Sequence, residues 1–132
     1  MHYRNIIFVE APLEEISDTR IEELVEHDMA PFHDEHWDGY LIGGAWPDTL
    51  NGKNIIPIKE IRQQHLDDCF DIIIDGAWFK REIYRPWLSV AKWFERKPKD
   101  QMPTARWLRQ DHKMRKGGPE FQVFAVALDC HN

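Results

Sequence analysis

The stretch Phe70-Asp71-Ile72-Ile73-Ile74-Asp75-Gly76-Ala77-Trp78-Phe79-Lys80-Arg81-Glu82-Ile83 decides the fold of this 132-residue chain. Phe70 to Ile74 is an apolar run of strand length, and Ala77 to Ile83 reads as its returning strand. Between them, Asp75-Gly76 is a strong two-residue hairpin signal, because Gly takes positive φ without strain. Parallel neighbours need a long crossover, so this hairpin pairs antiparallel strands. The expectation is a single domain over residues 1–132 of class α+β. It is a mostly antiparallel sheet, a ferredoxin-like type of sandwich, with helices packed on one face.

Upstream of the hairpin, Pro57 suits the first turn of a short helix, with Ile58, Ile61, Arg62 and His65 on its inner side. Downstream, Pro86 opens a helix with the stripe Trp87, Val90, Ala91 and Phe94, and Pro103 opens another. Gly117-Gly118-Pro119 stops that helix, and Phe121 to Leu128 is a last apolar strand near the sheet centre. At the other end, Tyr3 to Ala11 is a first strand whose Ile6-Ile7-Phe8-Val9 run fits a central position. Thr19-Arg20-Ile21-Glu22 matches a capping box and predicts a helix with Ile21, Leu24, Val25 and Met29 inward. Pro31 closes it.

Trp37-Asp38-Gly39-Tyr40-Leu41-Ile42-Gly43-Gly44-Ala45-Trp46 concentrates three large aromatic rings and three glycines in ten residues. Tyr40 and Ile42 point to one face of a short strand and Leu41 to the other. The expectation is that Tyr40, Trp46 and Trp78 lie close together, with Gly43 and Gly44 opening the floor between them. Aromatic walls beside an open backbone serve either as a ligand site or as the densest part of the core. Trp46 and Trp78 are expected in the core and Tyr40 partly open.

The box resembles the W-D-x-Y-x-I-G-G-x-W box of small uncharacterised proteins encoded by phages and prophages. The likeness extends to the Ala30-Pro31-Phe32 step, Asp75-Gly76-Ala77-Trp78 and the closing Leu128-Asp129-Cys130-His131. Members of that family usually carry Arg before the last Trp of the box where this chain has Ala45, so a guanidinium role does not transfer. The resemblance implies a phage origin and no particular activity.

Residues 1–75 hold 17 acidic and 5 basic side chains, whereas residues 76–132 hold 6 acidic and 12 basic ones. Halves of net charge −12 and +6 invite self-association, most simply a homodimer through the acidic N-terminal and basic C-terminal halves. No apolar run approaches the roughly 20 residues of a membrane span, so the expected location is cytoplasmic, in a host cell, without a membrane partner. Cys69 and Cys130 are expected as free, buried thiols.

The basic half interleaves Lys80, Arg81 and Arg85 with Trp93 and Trp107, which fall off the helix stripes. Cations neutralise phosphates and rings stack on bases. The expected ligand- or partner-binding residues are therefore Tyr40, Gly43, Gly44, Trp46, Trp78, Arg81, Arg85, Trp93 and Trp107. No P-loop, nucleophile elbow, C-x-x-C or H-E-x-x-H is present, so no catalytic residue and no cofactor is assigned. The weaker metal alternative is His33, His36 and Asp129, serving a metal-assisted phosphoesterase or nuclease. Cys130 beside His131 makes a poor nucleophile–base pair, since adjacent strand residues point to opposite faces. The functional expectation is a binding protein without turnover. It acts on a host protein complex or sequesters a phosphorylated nucleotide signal, as a host-defence antagonist does.

Overall fold

β1, His2–Pro12, and β6, Phe121–His131, are the two longest strands, and they pair antiparallel along their whole length, from His2↔His131 to Pro12↔Phe121. The computed structural model describes residues 2–12, 14, 16–45, 49–74, 76–80 and 121–132. Ile6, Ile7, Phe8 and Val9 are buried on both faces, as a continuous apolar run requires when a strand has neighbours on each side and cover above and below. β4, Asp71–Ile74, lies parallel to β1 on its other side, and β5, Ala77–Lys80, returns antiparallel to β4 through the expected turn. Gly76 takes φ of 73° there, the conformation for which glycine is suited.

Outside β6 lie β2, Gly39–Ile42, and β3, Ile55–Pro57, giving the order β2-β6-β1-β4-β5 with β3 also on β6. β2 pairs with residues 128–131 and β3 with residues 124–126, one after the other along the same edge. Between them Ala127 donates its N–H to the Asn54 carbonyl and accepts from the Gly43 N–H, both at 2.8 Å. The chain leaves β6 at Gly43 and rejoins it at Asn54. The result is one α+β domain with a mostly antiparallel sheet, as the hairpin required.

Strand alternation separates two cores. Ile7, Val9, Ile73, Trp78, Val126, Leu128 and Cys130 share one face with helix α1, Asp18–Met29. Ile21, Val25 and Met29 bury fully against them, and Leu24 packs at the margin. The other face carries Ile6, Phe8, Ile72, Ile74, Phe79, Ala125 and Ala127, together with Leu50, Ile58, Ile61 and Leu66 from the segment that holds helix α2, Gln63–Asp67. Cys69 and Cys130 are free and buried, and belong to the cores on opposite faces.

Several local expectations shift. Ser17 rather than Thr19 caps α1, its hydroxyl accepting from the Arg20 N–H at 3.1 Å. That start adds Asp18 to the positive end of the helix dipole. Pro57 ends β3 on an edge, where its missing N–H costs no ladder bond, and the helical turn follows at Ile58–Glu60. Arg62 is exposed; its backbone N–H donates to His65 Nδ1 at 3.0 Å, so it serves the start of α2 and not the core. Phe70 precedes β4 and stacks on Tyr3, with ring centroids 4.7 Å apart. The helices expected at Pro86 and Pro103, and the returning strand beyond Lys80, lie outside the described residues.

Candidate functional site

The box and the closing Asp129-Cys130-His131 meet side by side, because β2 pairs with the last residues of β6. Tyr40 opposes Cys130, and Tyr40 and Ile42 pack towards α1 while Leu41 is exposed, the alternation expected of the strand. Gly43 and Gly44 take φ of 77° and 54°. A side chain at Gly43 would overlap the Asn54 amide, and one at Gly44 would overlap Asp129, so close approach fixes both positions as glycine.

Asp129 is the centre of this junction. Its carboxylate is buried, accepting from the Ala45 N–H through Oδ2 and from the His2 ring through Oδ1, each at 2.9 Å. Two strand positions on, His131 donates from Nδ1 to Asp38 Oδ1 at 2.6 Å, and the Asp38 N–H donates to the His131 carbonyl at 2.7 Å. The bond from His131 holds the Asp38 carboxyl below its ordinary range. Asp129 and His131 do share a face, as strand geometry demands, but they meet His2 and Asp38 instead of His33 and His36.

On the α1 face of the same sheet end lies a cavity of about 100 Å³. Its walls are two stacked ring pairs, Tyr3 on Phe70 and His36 on Trp78, the latter with centroids 4.7 Å apart and planes 9° from parallel. Its floor is polar. Asn5 and Asp71 are direct cross-strand partners, 1% and 5% exposed, and the Asp71 N–H donates to Asn5 Oδ1 at 2.9 Å. Trp78 Nε1–H donates to Asp71 Oδ2 at 2.8 Å, and Lys80 and Asn132 complete the rim. His36 Nδ1 is buried without a hydrogen-bond partner among the described residues, and burial followed by the Lys80 charge lowers the pKa of that imidazole. A neutral ring stacked on indole therefore stands at the wall of this cavity.

Of the expected cluster of Tyr40, Trp46 and Trp78, Tyr40 and Trp78 do not meet. Tyr40 is on β2 and Trp78 on β5, the two ends of the sheet path, four strand spacings or about 19 Å apart. The box strand joins β6, not the hairpin, because its pairing is with the long central strand. Tyr40 meets Trp37 edge to face at 5.0 Å, and Trp37 donates from Nε1 to the Met29 carbonyl. Burial followed by the nearby Glu26 charge raises the Tyr40 pKa. Trp78 is buried, as expected, and takes His36 and Phe32 as its ring partners. Trp46, Arg81, Arg85, Trp93 and Trp107 lie outside the described residues.

The metal alternative does not assemble. His33 turns to Trp37 and Asp34, His36 to Trp78, and Asp129 to the opposite face of the sheet. Among the described residues no group of three or more His, Cys, Asp or Glu side chains is placed to hold a metal. Cys130 is buried among apolar side chains that push its thiol pKa up to about 12, so it has no thiolate at neutral pH. Asn5, Asp71 and His2 belong to no motif legible in the chain, and Asp38 is legible only as part of the box. Asn5 and Asp71 did carry a signal, a polar residue inside a strand that must be buried on both faces. Comparison of the chain with protein-family models, with curated proteins and with solved structures finds no match.

Proposed function

We propose that this protein is a binding module without turnover, of the phage type its box resembles, which sequesters a phosphorylated nucleotide signal of the host. The observation that carries the reading is the cavity between the Tyr3–Phe70 ledge and the His36–Trp78 stack, with Lys80 on its rim. Phe70 keeps 38% of its surface exposed, a face on which a base can stack. The cavity is too small to enclose a nucleotide, so a base edge enters it and meets the amide and carboxylate of Asn5 and Asp71. Lys80 opens the part of the sequence where basic side chains dominate, which suits phosphates lying outside the cavity.

Two measurements test the reading. Protein recovered from host cells is denatured and the released small molecules are identified by mass spectrometry. Purified protein is then titrated with mono-, cyclic and oligonucleotides while tryptophan fluorescence is followed. Phe70→Ala should weaken binding by about 1–3 kcal/mol, the contribution of one stacked base. The absence of any released nucleotide, with no saturable binding in the titrations, would sink the proposal.

A further inference from the structure

We infer that His2 and His131 form a two-imidazole site for a zinc-type divalent cation on the sheet face opposite the cavity. The two residues are direct cross-strand partners at the end of β1 and β6, so their side chains rise from the same face. Their ring centroids are 5.1 Å apart with planes 61° from parallel. A Zn–N bond of about 2.0–2.1 Å sets an imidazole centroid about 3.2 Å from the metal. Two such rings at the tetrahedral angle are about 5.2 Å apart. The centroid separation already present therefore matches that of two imidazoles on one cation.

The tautomers agree with that role. A carboxylate only accepts, so each ring must donate from Nδ1, His2 to Asp129 at 2.9 Å and His131 to Asp38 at 2.6 Å. When such a ring is neutral its Nε2 carries the lone pair, and neither Nε2 has a hydrogen-bond partner among the described residues. Carboxylates that take the far N–H of a metal-binding imidazole fix its orientation and raise its basicity. Asp129 is itself held by the Ala45 N–H, and its side chain is only 4% exposed, which keeps it behind His2 and away from the cation. The rings are half exposed, at 59% and 47%, so water or an anionic ligand completes the coordination. Imidazole pairs suit Zn, Cu and Ni over Mg or Ca. Gly44, which leaves room for Asp129, and Asp38, which holds His131, make the box the scaffold of this site.

The test uses the untagged, metal-stripped full chain titrated with zinc chloride, by calorimetry and by long-range proton–nitrogen spectra of the histidine rings. One zinc per chain is expected, with the Nε2 signals of His2 and His131 shifting together and those of His27 and His33 unmoved. His131→Ala should abolish that binding while His33→Ala keeps it. Asp38→Asn, at an exposed carboxylate, should weaken zinc by about 10- to 100-fold while the chain stays folded. Absence of saturable binding at millimolar zinc, or His131→Ala protein that binds like the parent, overturns the site.

Discussion

The same sheet end carries two different polar arrangements on its two faces. On the α1 face, Asn5 and Asp71 are sealed beneath stacked rings, and the nearest histidine is stacked, mostly buried and depressed in pKa. On the opposite face, His2 and His131 stand half in water, each tied to a carboxylate. Polar groups under rings are satisfied by fixed protein partners beside a small cavity. Imidazoles held at one nitrogen and open at the other remain free to bind something from solution. One face encloses its polar groups beneath rings, and the other leaves its imidazoles open to solvent.

The largest expected effect tests the buried face. Trp78→Ala removes a 9%-exposed indole, its stack with His36 and the donor to Asp71, and should cost about 3–5 kcal/mol by denaturant unfolding. A loss well under 2 kcal/mol would mean that the rings do not hold that face together. Gly44→Ala addresses the other face. The positive φ and the overlap with Asp129 should together cost about 1–3 kcal/mol, and the His2 ring signals should move with the displaced carboxylate. If Gly44→Ala left both stability and those signals unchanged, the box would not be the scaffold of Asp129.

His36→Phe keeps a ring on Trp78 and removes a buried nitrogen that has no partner among the described residues. The expected outcome is a gain of about 1 kcal/mol in stability together with weaker nucleotide binding. A destabilised variant would show that the imidazole nitrogen has a structural partner after all.

The smallest effect is a difference between the two faces in acid. The His36 pKa is lowered in the folded chain, so its contribution is whole above the ordinary value of 6.5 and is lost as pH falls through that value towards the folded one. The Asp38 pKa is also lowered, but from 3.8, so its contribution survives until pH falls below that value. Acidification from pH 7 to pH 5 should perturb Trp78 fluorescence and leave the Asp38 contact with His131 in place. Simultaneous change at both faces would remove the distinction drawn between them.

Apolar runs and turn chemistry were legible in the chain. Ile6 to Val9 demanded a strand covered on both faces, Asp75-Gly76 demanded a hairpin, and the stripe Ile21, Val25, Met29 demanded a helix against the sheet. These are local patterns whose period alone sets which side is apolar. The alternation within the box, with Leu41 outward, was legible for the same reason.

What β2 pairs with was decided only by tertiary structure. The box could have joined the hairpin or the last strand, and local periodicity is silent on partners more than 80 residues away in sequence, such as Ala45 and Asp129. The choice of β6 separated Tyr40 from Trp78, put His36 on Trp78, and brought Asp38 to His131 and Gly44 to Asp129. Each of those contacts joins side chains that alternation had already assigned to a face. Only the strand order, settled by how the whole chain buries its two apolar surfaces together, determined which of them became neighbours.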